Sequence, residues 1–382
     1  MKIPAARMND IHGFQVMEIL ARARALEAQG RSIIHMEIGE PDFPTAAGIV
    51  QAGIDALATG HTHYTETAGL PALRVAIAQR YAPTMVDPNR VLITPGASGA
   101  LQLLFGALVN PGDEVVMADP GYPCYRHLVR LYGGNARPIP VDATTGYQLT
   151  AELIERHWTP ATRAVLLATP SNPTGTVVSD AELAAIVATV ERRDGLLIVD
   201  EIYRGLTYEV APGSALAHSD QVFVVNSFSK YYGMTGWRLG WLVAPADFSV
   251  PLERLAQNVF LAPSTPAQYA ALAAFTPAVD AELQRRRAIL QERRDFLLPA
   301  LRALGFDIPV VPQGAFYLYA DCSRFTDDSQ AFALRLLEAA GVAITPGLDF
   351  GAYRAARHVR FSYANTLENL REALRRMTAQ LC

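Results

Sequence analysis

Cysteine is scarce in this sequence: three among 382 residues, Cys124, Cys322 and Cys382, with no paired spacing. An odd, scattered set argues against a disulfide framework or a cysteine zinc site, and suits a reducing compartment such as the cytoplasm. Cys124 has no histidine relay beside it and reads as a small packing residue. Charge is modest too, 18% of residues with a formal net charge of -4, so no polyanion-binding surface and no nucleic-acid partner are expected. The one basic run, Arg285-Arg286-Arg287, lies in a helical pattern near Glu282, Glu292 and Asp295 and reads as a solvated helix face. Long apolar runs are missing. No stretch nears the roughly 20 apolar residues needed to span a bilayer. The opening MKIPAARMNDIHGF lacks the apolar centre of a signal peptide, so a soluble, cytoplasmic protein with no membrane partner is expected. His61 and His63 have no carboxylate or cysteine at ligand spacing; they read as loop histidines, and no metal is expected.

What is present is a repeated phrase. A short run rich in Val, Ile and Leu ends in a small or polar cluster, and a helical pattern often follows. Arg90 to Ile93 runs into Thr94-Pro95-Gly96, Glu114 to Met117 into Asp119-Pro120-Gly121-Tyr122, and Ala164 to Ala168 into Thr169-Pro170-Ser171-Asn172. Leu196 to Val199 ends at Asp200-Glu201, and Val222 to Val225 at Asn226-Ser227. Continuous apolar strands alternating with helices predict a mostly parallel sheet covered on both faces, an α/β fold of three layers (α/β/α). Ligands of such sheets bind beyond the carboxyl ends of the strands, where this sequence puts its unusual polar residues. Pro71 opens one helix, Asp180 caps another, and a long amphipathic helix runs from about Ala281 to Leu298, with Pro299 expected to kink or end it. Shorter strands follow at Ala315 to Tyr319 and His358 to Ser362, with a last helix from Leu367. The expected organisation is an N-terminal arm with part of a small domain (residues 1–45), a large domain (46–284) and a smaller α+β domain (285–382).

The segment from Asn226 to Trp241 carries the most chemistry. Lys230 follows a buried strand, with Ser227 and Ser229 before it and Arg238 eight residues after. A lysine near other cations and partly desolvated loses basicity, and its amine can form a Schiff base. Serine hydroxyls and a guanidinium suit a phosphate dianion. Alone, Lys230 would read as a surface lysine in a glycine-rich turn. The pattern Ser-x-Ser-Lys with an arginine eight positions on, together with Ile38-Gly39-Glu40-Pro41-Asp42-Phe43 at one end and Arg360-Phe361-Ser362-Tyr363-Ala364 at the other, resembles the class I/II, fold-type I pyridoxal phosphate aminotransferases over nearly the whole chain.

The resemblance implies pyridoxal 5'-phosphate as cofactor, carried by Lys230. Asp200 matches the carboxylate that pairs with the pyridine nitrogen, which has its own physical reason: a carboxylate at a buried strand end needs a cationic partner. The other reading is a turn cap. Tyr203 and Asn172 match the donors to the cofactor's phenolate oxygen; alone, Asn172-Pro-Thr-Gly175 is only a turn signal. Gly96, Ala97 and Ser98 match a phosphate cup, as small residues opening a helix free its first N–H groups. Tyr122 matches the ring-stacking aromatic, or is a core plug. Tyr64 matches a tyrosine that reaches the phosphate of the neighbouring subunit, which implies a homodimer. Arg360, aided by Gly39, matches the residue that takes the substrate carboxylate, and its planar fork suits that task.

The resemblance implies transfer of an amino group from an amino acid to a 2-oxo acid with ping-pong kinetics. The same scaffold also supports β- or γ-lyases, the other reading kept open. Ser98 stands where some aspartate-specific relatives carry lysine, and Asn258 to Pro263, which the resemblance implies approaches the partner subunit's site, is apolar. Both favour a neutral or aromatic donor over aspartate, with glutamate or alanine as second partner. The segment Ile11 to Phe14 and Phe260 could lie over the site mouth or could be interface packing.

Overall fold

The computed structural model describes residues 3–211 and 213–381; Met1, Lys2, Pro212 and Cys382 lie outside the described residues, including the third cysteine of the set above. The strands are β1 (Ile34–His35), β2 (Val91–Thr94), β3 (Glu114–Asp119), β4 (Asn135–Pro140), β5 (Thr162–Ala168), β6 (Leu196–Asp200), β7 (Phe223–Ser227), β8 (Gly240–Val243), β9 (Tyr317–Asp321), β10 (Val342–Ala343), β11 (Thr345–Pro346) and β12 (His358–Ser362). The helices are α1 (Gln15–Ala28), α2 (Ala47–Ala58), α3 (Pro71–Gln79), α4 (Gly96–Leu108), α5 (Cys124–Leu131), α6 (Ala151–His157), α7 (Asp180–Arg192), α8 (Ala246–Val259), α9 (Thr265–Leu272), α10 (Pro277–Leu304), α11 (Ser329–Ala340) and α12 (Leu367–Leu381).

Seven strands form the central sheet in the order β2-β8-β7-β6-β5-β3-β4. All pairs are parallel except those of β8, which runs against β2 and β7. The apolar strands feed both faces by simple alternation: Val116, Val165, Leu167, Leu197, Val199 and Val224 pack into one core. Val115, Met117, Ala164, Leu166, Ile198 and Val225 pack into the other. This period of two, buried on both sides, makes the expected three layers. A second, antiparallel sheet, β11-β12-β9, and the parallel pair β1-β10 are built from the chain's two ends.

Some local expectations need correction. Ser179, not Asp180, caps α7, its side chain accepting from the Glu182 N–H; Asp180 is the first helical residue. Strand β9 begins at Tyr317 rather than Ala315, whose φ of 55° is incompatible with a strand. Helix α10 is neither ended nor confined by Pro299: it begins at Pro277 and runs on to Leu304, where Gly305 takes a left-handed φ of 111° as its stop. Leu297, Leu298, Leu301 and Leu304, all buried, straddle the proline and hold the helix together across the missing N–H. Position 285 falls inside this helix, so the two sheets are joined by continuous helix rather than by a loop. The arginine run lies on it as expected, with Arg286 paired to Glu282 and donating to the Pro44 carbonyl at 2.6 Å. Two turns later Arg293 donates to both oxygens of Asp42, at 2.7 and 3.0 Å, tying the Gly39–Phe43 loop to α10.

Replacing Pro299 by alanine restores an N–H within the helix. The expected gain is about 1–3 kcal/mol, read as a rise in thermal midpoint with unchanged activity.

Candidate active site

The carboxyl ends of β2, β3, β5, β6 and β7 open onto one cavity of about 780 Å³. Because β8 is antiparallel, its amino end, with Arg238 just before it, lies at the same edge. Of the residues expected from the sequence, Gly39, Ala97, Ser98, Tyr122, Asn172, Asp200, Tyr203, Ser229, Lys230, Arg238 and Arg360 all line this cavity. Gly96 and Ser227 stand outside its wall. Tyr64 is elsewhere, 81% exposed on the outer surface.

Lys230 reaches across from β7 and donates from Nζ to the Gly39 carbonyl at 2.5 Å. Desolvation pulls its amine from 10.5 down to about 8, with Arg360 and Arg238 pushing the same way and Glu40 and Asp200 opposing. Asp200 closes β6 at 3% exposure. Its two hydrogen-bond partners are neutral: the Tyr125 hydroxyl at 2.7 Å and the Ile202 N–H at 3.0 Å. Burial lifts this carboxyl to about 6, against those bonds and the field of Lys230. It caps its own turn, as one reading held, yet that bond does not neutralise the charge.

Helix α4 starts without a side-chain cap, at Gly96 with φ 72°, so its first N–H groups are free to meet an anion. Glycines keep the cradle open. A Cβ on Gly96 would come within 2.7 Å of Arg238 Nη2, and one on Gly240 within 2.7 Å of the Gly96 carbonyl carbon. The Ser227 hydroxyl lies 2.9 Å from that of Ser229. Arg238 itself sits at φ 52°, a strained conformation for a non-glycine residue.

Arg360, from the middle of β12, is 4% exposed and stacked against Tyr317 and Phe350, 4.3 and 4.9 Å from their ring centres. Nη1 donates to Asn172 Oδ1 at 2.9 Å, and Nη2 to the Glu37 carbonyl at 2.5 Å and Thr345 Oγ1 at 3.1 Å. Among the described residues its Nε has no partner. Tyr203 shares a 2.8 Å hydrogen bond with Tyr317, and burial holds its phenol well above the usual range.

The sequence reading missed Tyr125 and Tyr317, whose positions beside ordinary helix and strand residues gave no signal. It left Phe14 open, and Phe14 lines the cavity while Phe260 does not. Cys124 opens α5 against this wall, but burial pushes its thiol up to about 11, which fits packing rather than nucleophilic attack. His61 stacks on Tyr269 with ring centres 4.0 Å apart.

An uncapped helix start beside Ser229 and Arg238 suits a phosphate, a lysine of lowered basicity suits an aldehyde, and a buried carboxylate with neutral partners suits a ring cation. These are the three features of pyridoxal phosphate, and the fold and site together define an enzyme of that class. The sequence pattern described as "Aminotransferase class I and II" matches residues 31–377. The valine–pyruvate aminotransferase of Mycobacterium tuberculosis is 41% identical over 373 residues, covering 96% of both chains. The solved structure of an aminotransferase from the same organism superposes with a TM-score of 0.96 at 40% identity, over 100% of this chain and 99% of that one. The aspartate aminotransferase of Thermus thermophilus with maleate superposes with a TM-score of 0.94 at 36% identity, over the full length of both. The chain belongs to the class I and II aminotransferases, and it is an aminotransferase with pyridoxal 5'-phosphate as its cofactor.

The lowered lysine sets a pH dependence. Below pH 8 the apoprotein amine is mostly protonated and unreactive, so its rate of combination with pyridoxal phosphate rises with pH and levels off above about 8. A rate still rising steeply at pH 10, followed by visible absorption, would mean an ordinary lysine.

Proposed function

We propose that the protein moves the amino group of a neutral or aromatic L-amino acid to a 2-oxo acid, and does not favour aspartate. One observation carries this reading: the cations on the cavity wall are Lys230, Arg238 and Arg360, and the cofactor and the substrate's α-carboxylate engage all three. Among the described residues of this chain's own wall, none is left for a distal carboxylate. The rest of the wall carries no further cation: it has apolar residues (Phe14, Val16, Met17, Leu101, Phe350), carboxylates (Glu37, Glu40, Asp349) and neutral polar groups such as Thr235, Tyr125 and Tyr317. The name of the valine–pyruvate relative agrees with a neutral donor; that of the Thermus relative names aspartate. Ser98 and the apolar Asn258–Pro263 segment favour the former, and alanine or glutamate is the expected second partner.

In this reading Gly96, Ala97, Ser98, Ser227, Ser229 and Arg238 would hold the phosphate, and Tyr122 would serve the ring as its aromatic partner. Asn172 and Tyr203 would serve the phenolate oxygen as donors, with Tyr317 fixing the Tyr203 hydroxyl. Asp200 would pair with the ring nitrogen and favour its protonated form. When bound, the cofactor supplies an aldehyde for the amino group and a cationic ring that withdraws electrons from the substrate. Arg360 and Gly39 orient the substrate carboxylate. The Lys230 amine, its basicity lowered to about 8 so that a useful fraction is neutral near that pH, takes the proton from the substrate Cα and delivers it as general acid. The first 2-oxo acid leaves before the second enters, because both use Arg360, so the kinetics are ping-pong.

A homodimer completes the site. Tyr64 is exposed here, as it should be if Tyr64 of the partner subunit supplies the last phosphate contact. Helix α2 presents Val50, Ile54 and Leu57, 37%, 52% and 57% exposed, as an apolar stripe of helical spacing. For the division into residues 1–45, 46–284 and 285–382, support comes from the seven-stranded sheet lying within 46–284 and β11-β12-β9 within 285–382, while position 285 itself lies inside α10.

The test is a half-reaction panel. Each amino acid is added to the holoenzyme without acceptor, while visible absorption and 2-oxo acid are followed. Stoichiometric 2-oxo acid, fastest with neutral or aromatic donors, is expected. Highest efficiency with aspartate would overturn the donor reading; catalytic release of ammonia or a thiol would overturn transamination.

A further inference from the structure

The cavity wall nearest the amino terminus is made by Phe14, Val16 and Met17, at the start of α1. Helix α1 has no cap of its own, since its N-cap residue is Phe14, which offers no side-chain acceptor. The cap comes from 334 positions further along the chain. Asp349 accepts the Gln15 N–H on Oδ1 at 2.8 Å and, more weakly, the Val16 N–H on Oδ2 at 3.4 Å. Asp349 lies between β11 and β12, is 3% exposed, and lines the same cavity.

This turn is fastened on other sides as well. Arg126 Nη2 donates to the Asp349 carbonyl at 2.9 Å, and the Gly121 N–H to the Phe350 carbonyl at 2.9 Å. Phe350 in turn packs on the Arg360 guanidinium. The start of α1, the Tyr122 loop and the carboxylate-binding arginine therefore meet at one short turn. Phe14 faces Tyr122 across the cavity, with ring centres 6.2 Å apart. A buried carboxylate is a costly way to cap a helix unless the position of that helix start matters. The residues fixed by it are the ones a donor side chain would meet.

We propose that Asp349 is a specificity-positioning residue: by capping α1 from across the fold it holds Phe14 over the cavity and sets how well bulky neutral donors bind relative to small ones. The proposal rests on the donor reading above and adds the residue that enforces it. Asp349 acts through Phe14.

Gln15→Pro tests it with little disturbance. Proline is favoured at the first position of a helix, and Phe14, at φ -77° and ψ 133°, already has the conformation required before a proline. The substitution removes the N–H that Asp349 accepts and leaves Asp349 and Phe14 in place; Gln15→Ala keeps the N–H and is the control. Steady-state kinetics with phenylalanine, leucine and alanine are expected to show KM for the two large donors raised at least five-fold in Gln15→Pro, with kcat within two-fold. KM for alanine should move less than two-fold, cofactor absorbance per subunit should be unchanged, and Gln15→Ala should match the wild type. Asp349→Ala, which removes the acceptor, should repeat the shift toward small donors. In a Phe14→Ala background Gln15→Pro should add less than two-fold. An equal loss on all three donors, or an undiminished effect without Phe14, would make the cap purely structural and overturn the proposal. A wild type that prefers aspartate would instead defeat the donor reading, while the ratio of variant to wild type across donor size would still report on Asp349.

Discussion

The arrangement of the site turns on one carboxylate that the protein leaves without a counter-ion. Asp200 sits at the end of a strand buried on both faces, bonded to a phenol and a main-chain N–H, and its carboxyl is lifted to about 6. The sign of the consequence follows from linkage. A carboxyl raised above its unfolded value of 3.8 lets the native apoprotein hold a proton that the unfolded chain has lost, so stability falls as pH rises from about 4 through 6. A shift of about two units corresponds to at most about 3 kcal/mol. A cation delivered to this oxygen relieves that cost, which is why a protonated pyridine ring fits and a neutral ligand would not.

Burial of the cationic groups works in the opposite direction. Lys230 loses basicity chiefly from desolvation, with two neighbouring arginines pushing the same way. The same cavity thus holds an amine of lowered basicity and the buried Arg360 guanidinium. The Arg293–Asp42 pair holds the loop that carries Gly39, to whose carbonyl Lys230 donates. Thus α10, the helix that joins the two sheets, also steadies the floor of the site.

Much of this was legible in the sequence. The five apolar strands ending in polar clusters point to the sheet; the lysine segment, Asp200 and Arg360 each have a motif and a physical reason, Tyr203 has the resemblance alone, and all of them meet at one cavity. Strands β4 and β8 were not legible. The first reads Asn-Ala-Arg-Pro-Ile-Pro, and two prolines are tolerated only because it is the edge of the sheet. The second hides in the glycine-rich stretch after Lys230. The run of α10 through Pro299 depends on leucines buried by partners distant in sequence, which local rules do not count. Tyr125 and Tyr317 escaped for a related reason, since a hydroxyl aimed at a site is indistinguishable in sequence from one at a core boundary. Asp349, an ordinary turn residue by pattern, meets its helix 334 positions away.

The most direct test of the central claim is the ionisation of Asp200 itself, followed by the infrared difference between the wild type and Asp200→Asn across pH 4 to 8. The apoprotein should show a carboxyl midpoint near 6, and addition of pyridoxal phosphate should drive it well below 4. A midpoint near 4 in the apoprotein, or one that does not move when the cofactor binds, would contradict the account.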